Sequence, residues 1–247
     1  VISRDTLRGH DLTIVQPEQG YRFSLDPLLL AGFCKELKPG STAIDLGAGC
    51  GVIPLVMARA NGDARFVAVE NNPDMAALAC ENARLNGLAE RISITIADIL
   101  QVRSLFPVSS FDQVVSNPPF RTPGSGKISP LAGRDAARHE TTAGLADFIS
   151  AAKYLVKPGG RICFVYHPSR LAEFISVATG LKLALLRLRM VHGSCSSEAK
   201  MFLAELAKGR RGDVAVEAPL IVYGEDGEYT TETAGMLGGL KHKSLTD

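Results

Sequence analysis

A glycine run, three carboxylates and one Asn-Pro-Pro-Phe tetrapeptide stand where apolar stretches of the chain stop. The run Asp45-Leu-Gly-Ala-Gly-Cys-Gly51 follows a strand-like stretch and opens a helical one. Glycines at Gly47, Gly49 and Gly51 let the backbone approach a ligand closely, and the following helix N-terminus favours negative charge. Glu70 closes the next strand-like stretch, where a carboxylate can accept hydrogen bonds from both hydroxyls of a ribose. Two nucleotide-type ligands suit this pattern. A dinucleotide site wants G-x-G-x-x-G around a pyrophosphate, but here the third glycine comes one position early and Asp45 precedes the first by two. A carboxylate at Asp45 repels a pyrophosphate and suits the cationic amino acid end of S-adenosylmethionine. Asp98, after the third strand-like stretch, could accept the amino group of an adenine; the alternative is a helix N-cap.

Asn117-Pro-Pro-Phe120 ends the fourth such stretch. Two consecutive prolines cannot continue a strand, so the chain turns out over the carboxyl edge of the sheet. An exocyclic amine or an amide nitrogen is a poor nucleophile because its lone pair is delocalised. The Asn117 carboxamide oxygen and the Pro118 carbonyl can accept its two N–H bonds and favour a pyramidal nitrogen whose lone pair faces an electrophilic methyl. Pro119 completes the turn, and Phe120 offers a flat face for stacking a planar substrate. This chemistry is positioning and electrostatics, with no metal required.

These residues need a scaffold that brings strand ends together, and the chain alternates strand-like and helical stretches accordingly. Strands are expected at 42–47, 65–70, 92–97, 111–116 and 161–166, as in a parallel sheet with crossover helices. Helices are expected at 52–60, from Asn72-Pro73 to a stop at Gly87, across Leu145 to Lys157-Pro-Gly-Gly160, and around 171–178. The final third reads as strand at 182–191, 200–206 and 214–223. Residues 1–25 lie before the alternation, and 118–141 form a long loop rich in Pro, Gly and Arg at the edge where open parallel sheets bind ligands. The expected fold class is α/β: a Rossmann-like, doubly wound, mostly parallel sheet of seven strands, one of them antiparallel. A single domain spans 1–247, with 1–40 as a closing segment and 41–247 as the core and its strand-rich extension.

Composition narrows the class further. The chain has 247 residues, is 46% hydrophobic and carries a formal net charge of +1, which excludes a disordered or coiled-coil chain. No stretch is long and apolar enough for a membrane span. Five cysteines without a CxxC or Cys/His cluster indicate reduced thiols, no metal site and a cytoplasmic setting. Val1 in place of Met leads us to expect a short missing N-terminal piece. The net charge conceals a pattern. Residues 1–120 hold 10 basic and 13 acidic side chains, residues 121–212 hold 15 and 6, and residues 213–247 hold 2 and 7. The basic block starts beside the tetrapeptide with Arg121, Lys127, Arg134 and Arg138 and continues through Arg187, Arg189, Lys208, Arg210 and Arg211. Such clustering suits a nucleic-acid backbone better than bulk charge suggests. A base in a structured loop must be turned out to reach the methyl, and stacking on Phe120 offsets part of that cost. His139 and Glu140 read as loop residues.

The glycine run, the acidic strand ends and NPPF together resemble the class I S-adenosylmethionine-dependent methyltransferases that methylate amines. The resemblance covers most of the chain. It implies cofactor contacts at Asp45, Gly47, Ala48, Gly49, Gly51, Glu70, Asn71 and Asp98, and target-amine contacts from Asn117 to Phe120, with Asn117 also facing the cofactor. Tyr21-Arg-Phe-Ser-Leu-Asp-Pro-Leu-Leu-Leu30 is similar to the segment that closes over the cofactor in that group, which assigns Phe23 and Asp26 to the cofactor. Within it, Arg134–Thr142 and the ending Pro219–Gly224 with Gly227–Glu232 are similar to the bacterial tRNA(Val) adenine-N6-methyltransferases. That likeness implies tRNA as partner, Arg121, Lys127, Arg134 and Arg138 as RNA contacts, a monomer or weak dimer, and neither membrane nor metal. NPPF also occurs in ribosomal guanine-N2-methyltransferases, so guanine N2 in rRNA is an alternative target, and the amide of a protein glutamine is a third. A nicotinamide-dependent oxidoreductase fits the glycine spacing poorly, and a non-catalytic RNA-binding module would leave Asn117 without a purpose.

Overall fold

The computed structural model describes residues 2–18, 24–119 and 143–238. In chain order its strands are β1 (Ile2–Leu7), β2 (Leu12–Pro17), β3 (Thr42–Leu46), β4 (Arg65–Glu70), β5 (Ile92–Ile96), β6 (Phe111–Ser116), β7 (Val156–Tyr166), β8 (Leu183–His192), β9 (Ala199–Lys208), β10 (Ala215–Val216) and β11 (Leu220–Ile221). The α-helices are α1 (Leu25–Phe33), α2 (Val52–Ala60), α3 (Pro73–Leu85), α4 (Val102–Leu105), α5 (Leu145–Leu155), α6 (Leu171–Gly180) and α7 (Thr231–Met236). The main sheet runs β10-β8-β9-β7-β6-β3-β4-β5, with β11 also on β8. Pairing is parallel from β5 to β7, and β9 runs antiparallel to both β7 and β8.

Parallel strands covered on both faces must be apolar on both faces. Ala43, Ile44, Leu46, Ala68, Val69, Val114 and Val115 are accordingly buried. Leu28, Leu29, Leu55, Val56 and Leu203 belong to the core under α1 and α2, and Phe148, Ile149, Phe164 and Phe174 to the core under α5 and α6. Helices on opposite faces are the doubly wound arrangement expected. Local signals act as read in α3: the Asn72 side chain accepts from the Asp74 and Met75 amides at 2.9 and 3.2 Å, and Gly87 takes φ +66° just beyond the helix.

Four features depart from the sequence reading. Residues 2–17, placed before the alternation with no strand assigned, form an antiparallel hairpin, β1 with β2. The α5 helix stops at Leu155, and Lys157-Pro-Gly-Gly160 forms a bulge within β7 opposite Asp112, with Gly159 at φ +77°. A side chain at Gly160 would meet the Asp112 carbonyl at 2.7 Å, so the strands close tightly here, and the Lys157 ammonium grips both Asp112 carboxylate oxygens at 2.8 Å. The expected strand 214–223 is two short pieces, because Pro219 lacks an amide to continue the ladder. Finally, α4 and α7 were not anticipated. No described helix is long and apolar enough to cross a membrane.

Candidate active site

The carboxyl ends of β3, β4 and β6 converge on a cavity of about 370 Å³ lined by the glycine loop, Glu70, Asn71, Asn72, Asn117, Pro118, Pro119, Ser24 and Asp26. The loop's shape follows from its glycines. Gly47 and Gly51 take φ +77° and +85°, a region that disfavours side chains, and a Cβ on Gly51 would crowd that of Ala79 at 3.2 Å. The Gly47 and Ala48 amides both donate to the Val69 carbonyl at 2.9 and 3.0 Å, and the Gly51 amide donates to Ala48. The Gly49 amide donates to Glu70 Oε2 at 2.8 Å, and Glu70 Oε1 accepts from the Asn72 amide at 2.9 Å. The amides of all four residues Gly47, Ala48, Gly49 and Gly51 are thus spent on protein acceptors, and Pro54 removes a further donor from the first turn of α2. A pyrophosphate would find few free N–H groups, which counts against the dinucleotide alternative.

Asp45 lies behind this loop at 2% exposure, off the cavity wall itself, and among the described residues neither of its carboxylate oxygens has a hydrogen-bond partner. Burial, aided by the neighbouring Glu70 charge, pushes its carboxyl well above the usual carboxylate range. A buried carboxylate with unused acceptor capacity beside a cavity is chemically matched to an incoming cation. The residues present therefore fit S-adenosylmethionine: an acid for its ammonium group and Glu70 for its ribose. The Asp26 carboxyl is also raised by burial, opposed by its bond with Ser24. Burial pushes the Cys50 thiol up to about 12, so this cavity-lining cysteine is a neutral wall rather than a nucleophile.

Asn117 sits just beyond β6, where the Ser116 hydroxyl donates to the Leu46 carbonyl at 2.6 Å and ties the ends of β6 and β3 together. That bond fixes the asparagine beside the glycine loop. Pro118 is buried and Pro119 exposed, and the Tyr166 hydroxyl donates to the Pro119 carbonyl at 3.3 Å. The turn therefore projects from the sheet edge and is held from the neighbouring strand.

Of the residues singled out in the sequence, Asp26, Gly47, Ala48, Gly49, Glu70, Asn71, Asn117, Pro118 and Pro119 share the cavity wall. Gly51 opens α2. Asp98 is not on the wall: its Oδ1 accepts from the Leu100 amide at 2.9 Å as the cap of a short 3-10 turn, while its neighbours Ala97 and Ile99 do line the cavity. Phe23, Phe120, Arg121, Lys127, Arg134 and Arg138 lie outside the described residues, as do His139 and Glu140. The remainder of the expected basic surface is corrected. Arg187 pairs with Glu205 and Glu217, donates to the Phe33 carbonyl at 2.9 Å and stacks over the Phe33 ring at 3.9 Å. Arg189 pairs with Glu232, and Lys208 donates to Ser109 and to the Val156 carbonyl. These three cations serve the fold; Arg210 and Arg211 are exposed.

Phe148, Met75, Val69 and Ile99 also line the cavity and were not singled out. Phe148 stands on the apolar face of α5, where nothing in its spacing separates it from core, yet its ring would lie 3.4 Å from a Cβ on Gly47. Among the described residues no group of His, Cys, Asp and Glu is placed to hold a metal ion.

The methyltransferase small domain family model matches residues 26–182. The chain is 33% identical over 221 residues, 85% of each chain, to a tRNA1(Val) (adenine(37)-N6)-methyltransferase of Porphyromonas gingivalis. It is 27% identical to the protein of that name from Aeromonas hydrophila, over 82% of this chain and 83% of the relative. A solved structure of a predicted O-methyltransferase from Agrobacterium tumefaciens superposes with a TM-score of 0.70 at 23% identity, covering 87% of this chain and 96% of that one.

Proposed function

The chain belongs to the methyltransferase small domain family, and from that premise we propose that it transfers a methyl group from S-adenosylmethionine to N6 of an adenine in tRNA, at the anticodon loop of tRNA(Val). The observation that carries this reading is the Asn117-Pro118-Pro119 turn opening onto the same cavity as the glycine loop and Glu70. The relatives named above supply the choice of adenine and of tRNA.

When bound, S-adenosylmethionine supplies an electrophilic methyl on a cationic sulfur. Asp45 offers the counter-charge for the ammonium end, and Glu70, already ordered by the Gly49 and Asn72 amides, keeps acceptor capacity for ribose hydroxyls. Val69, Ile99 and Phe148 present apolar surface for a purine. Asn117 and the Pro118 carbonyl accept the N–H bonds of the target amine and hold its lone pair toward the methyl. Fixed acceptors of this kind need no reorganisation as positive charge grows on nitrogen. As the N–C bond forms and the C–S bond breaks, the methylated nitrogen releases a proton to water. Phe120 stacks the turned-out base, Arg121, Lys127, Arg134 and Arg138 hold the RNA backbone, and residues 1–40, through Phe23 and Asp26, close over the cofactor within one domain.

Incubation with isotopically labelled S-adenosylmethionine and undermodified tRNA, rRNA and protein pools tests the reading. Labelled N6-methyladenine in tRNA is expected. Labelled N2-methylguanine in rRNA without N6-methyladenine would overturn the choice of substrate, and an unlabelled product pool would overturn the reaction.

A further inference from the structure

Asn82 is fully buried on α3 and does not line the cavity, yet it touches the glycine loop, which does, and ties it to β2. Its Oδ1 accepts from the Val15 amide at 2.6 Å, and its Nδ2 donates to the Val15 and Cys50 carbonyls, each at 2.9 Å. Val15 belongs to β2, which leads into the segment carrying Ser24 and Asp26. Cys50 lies between Gly49 and Gly51 in the cofactor loop. One carboxamide therefore bridges the N-terminal hairpin and the glycine loop.

The helix supplies a matched comparison one turn on. Asn86 Oδ1 accepts from the Thr13 amide at 2.8 Å, and its Nδ2 donates to the Thr13 carbonyl at 2.8 Å and to the Asn82 carbonyl at 2.7 Å. The pairing works because four helical residues advance about 6 Å and two strand residues about 6.7 Å, so two asparagines at i and i+4 can read alternate residues of β2. Both satisfy the edge of β2 that β1 leaves open. Only Asn82, of the two, also reaches the loop.

We propose that Asn82 is a positioning residue for cofactor binding: it sets the Cys50 carbonyl, and with it the Gly49–Gly51 turn, against the β2 strand of the N-terminal hairpin. The loop glycines are free to adopt other conformations, and the Gly49 amide must stay on Glu70 for the ribose acceptor to stay in place. Losing the Nδ2 bond to Cys50 releases that turn, and the loss is felt as cofactor affinity. Asn117, fastened separately through the bond between Ser116 and Leu46, keeps its position for the methyl-transfer step.

The inference rests on the cavity being the S-adenosylmethionine site, so calorimetric binding of S-adenosylhomocysteine to the native chain is the first measurement; no binding there would fail that reading, not this one. Asn82→Ala, and Asn82→Asp as the isosteric variant that keeps the Val15 acceptor but loses both donors, are then compared with Asn86→Ala. Loss of a buried bond of this kind predicts a rise of about tenfold in KM for S-adenosylmethionine and in Kd for S-adenosylhomocysteine, with kcat at saturating cofactor within about threefold. Asn86→Ala should lower the melting temperature comparably while leaving both cofactor constants within about twofold, because it frees the same strand without freeing the loop. Asn82 variants that bind cofactor as tightly as Asn86→Ala, or that lose kcat alone, would overturn the proposal.

Discussion

The two ends of the sheet use charge in opposite ways. At the β3–β4 side, buried acidic groups retain capacity: among the described residues Asp45 has no hydrogen-bond partner on either oxygen, and Glu70 accepts two backbone amides. At the β8–β9 side, charges are matched within the protein. Glu205, 1% exposed, lies 3.2 Å from Arg161 and 3.3 Å from Arg187, and Arg187 has further partners in Glu217 and Phe33. A buried carboxylate with no cation beside it, set behind a cavity wall, suits an incoming charged ligand, whereas carboxylates already ion-paired to arginines mark a joint. A count of basic residues along the chain cannot distinguish these, and that is why Arg187 and Arg189 read as an RNA surface in the sequence.

The largest effect that would sharpen the contrast is at the joint. Glu205→Ala leaves two arginines without their shared counter-charge, and breaking such a pair should cost about 3 kcal/mol of stability. Urea unfolding checks this. If Glu205 is purely structural, the folded variant retains the native salt dependence of RNA binding. A flattened dependence would place this cluster on the RNA surface and erase the distinction.

Next in size is Asn117→Ala. Removing the amine acceptor should lower turnover by at least about two orders of magnitude, since a preorganised polar contact to developing charge is lost. Cofactor affinity should hold, because the glycine loop and Glu70 are fixed by their own bonds. Single-turnover kinetics with saturating cofactor would separate the two quantities, and undiminished turnover would refute the role given to the asparagine.

The cofactor loop and NPPF were legible in the sequence because each is a short run whose conformation is fixed locally, by glycines at φ +77° and +85° and by consecutive prolines. Their meeting was legible too, since strand ends in a parallel α/β sheet converge. What could not be read depends on distant partners. Asn82 and Phe148 occupy helix positions that look like core, and only the fold shows one reaching Cys50 and the other facing Gly47. The β1 strand, with exposed and half-covered polar residues alternating, carried too little apolar signal. Asp98 was placed correctly at a strand end, but its carboxylate was equally suited to the cap it makes.

With Arg187, Arg189 and Lys208 engaged within the protein, the proposed RNA contact rests on the cations after the tetrapeptide. Arg134→Glu combined with Arg138→Glu should weaken tRNA binding about tenfold or more at physiological salt and reduce the slope of log K against log salt by at least about 1. The matched change Arg189→Gln should leave the slope alone. Equal slopes in all the proteins would count against the 121–138 segment as the RNA contact.

Asp45 predicts a pH effect of similar or smaller size. Its folded-state pKa is raised above the ordinary value near 3.9, so the cofactor-free fold holds a proton that the unfolded chain has lost, and its stability falls as pH rises through that window. A cationic ligand favours the ionised form. Cofactor affinity should therefore rise with pH, by up to about tenfold per unit below the folded pKa, and binding should release protons. Calorimetry in buffers of different ionisation enthalpy measures the release. Asp45→Asn should bind more weakly and lose the pH dependence; a pH-independent native chain would remove Asp45 from the ammonium site.

The smallest effect lies where the two regions meet. Strand β7 pairs in parallel with β6 on one side and antiparallel with β9 on the other. At its end Tyr166 packs edge-on against Phe202, with ring centroids 6.5 Å apart, while its hydroxyl holds the Pro119 carbonyl at 3.3 Å. Tyr166→Phe keeps the ring in the structural half and withdraws the bond to the Asn117–Pro119 turn. One long neutral hydrogen bond is worth about 0.7 kcal/mol, so kcat should fall about threefold, with the melting temperature and cofactor affinity near native. If stability falls and kcat does not, the tyrosine belongs wholly to the joint, and the turn needs no help from beyond β6. If kcat alone falls, the ion-paired half of the sheet contributes to catalysis through this hydroxyl.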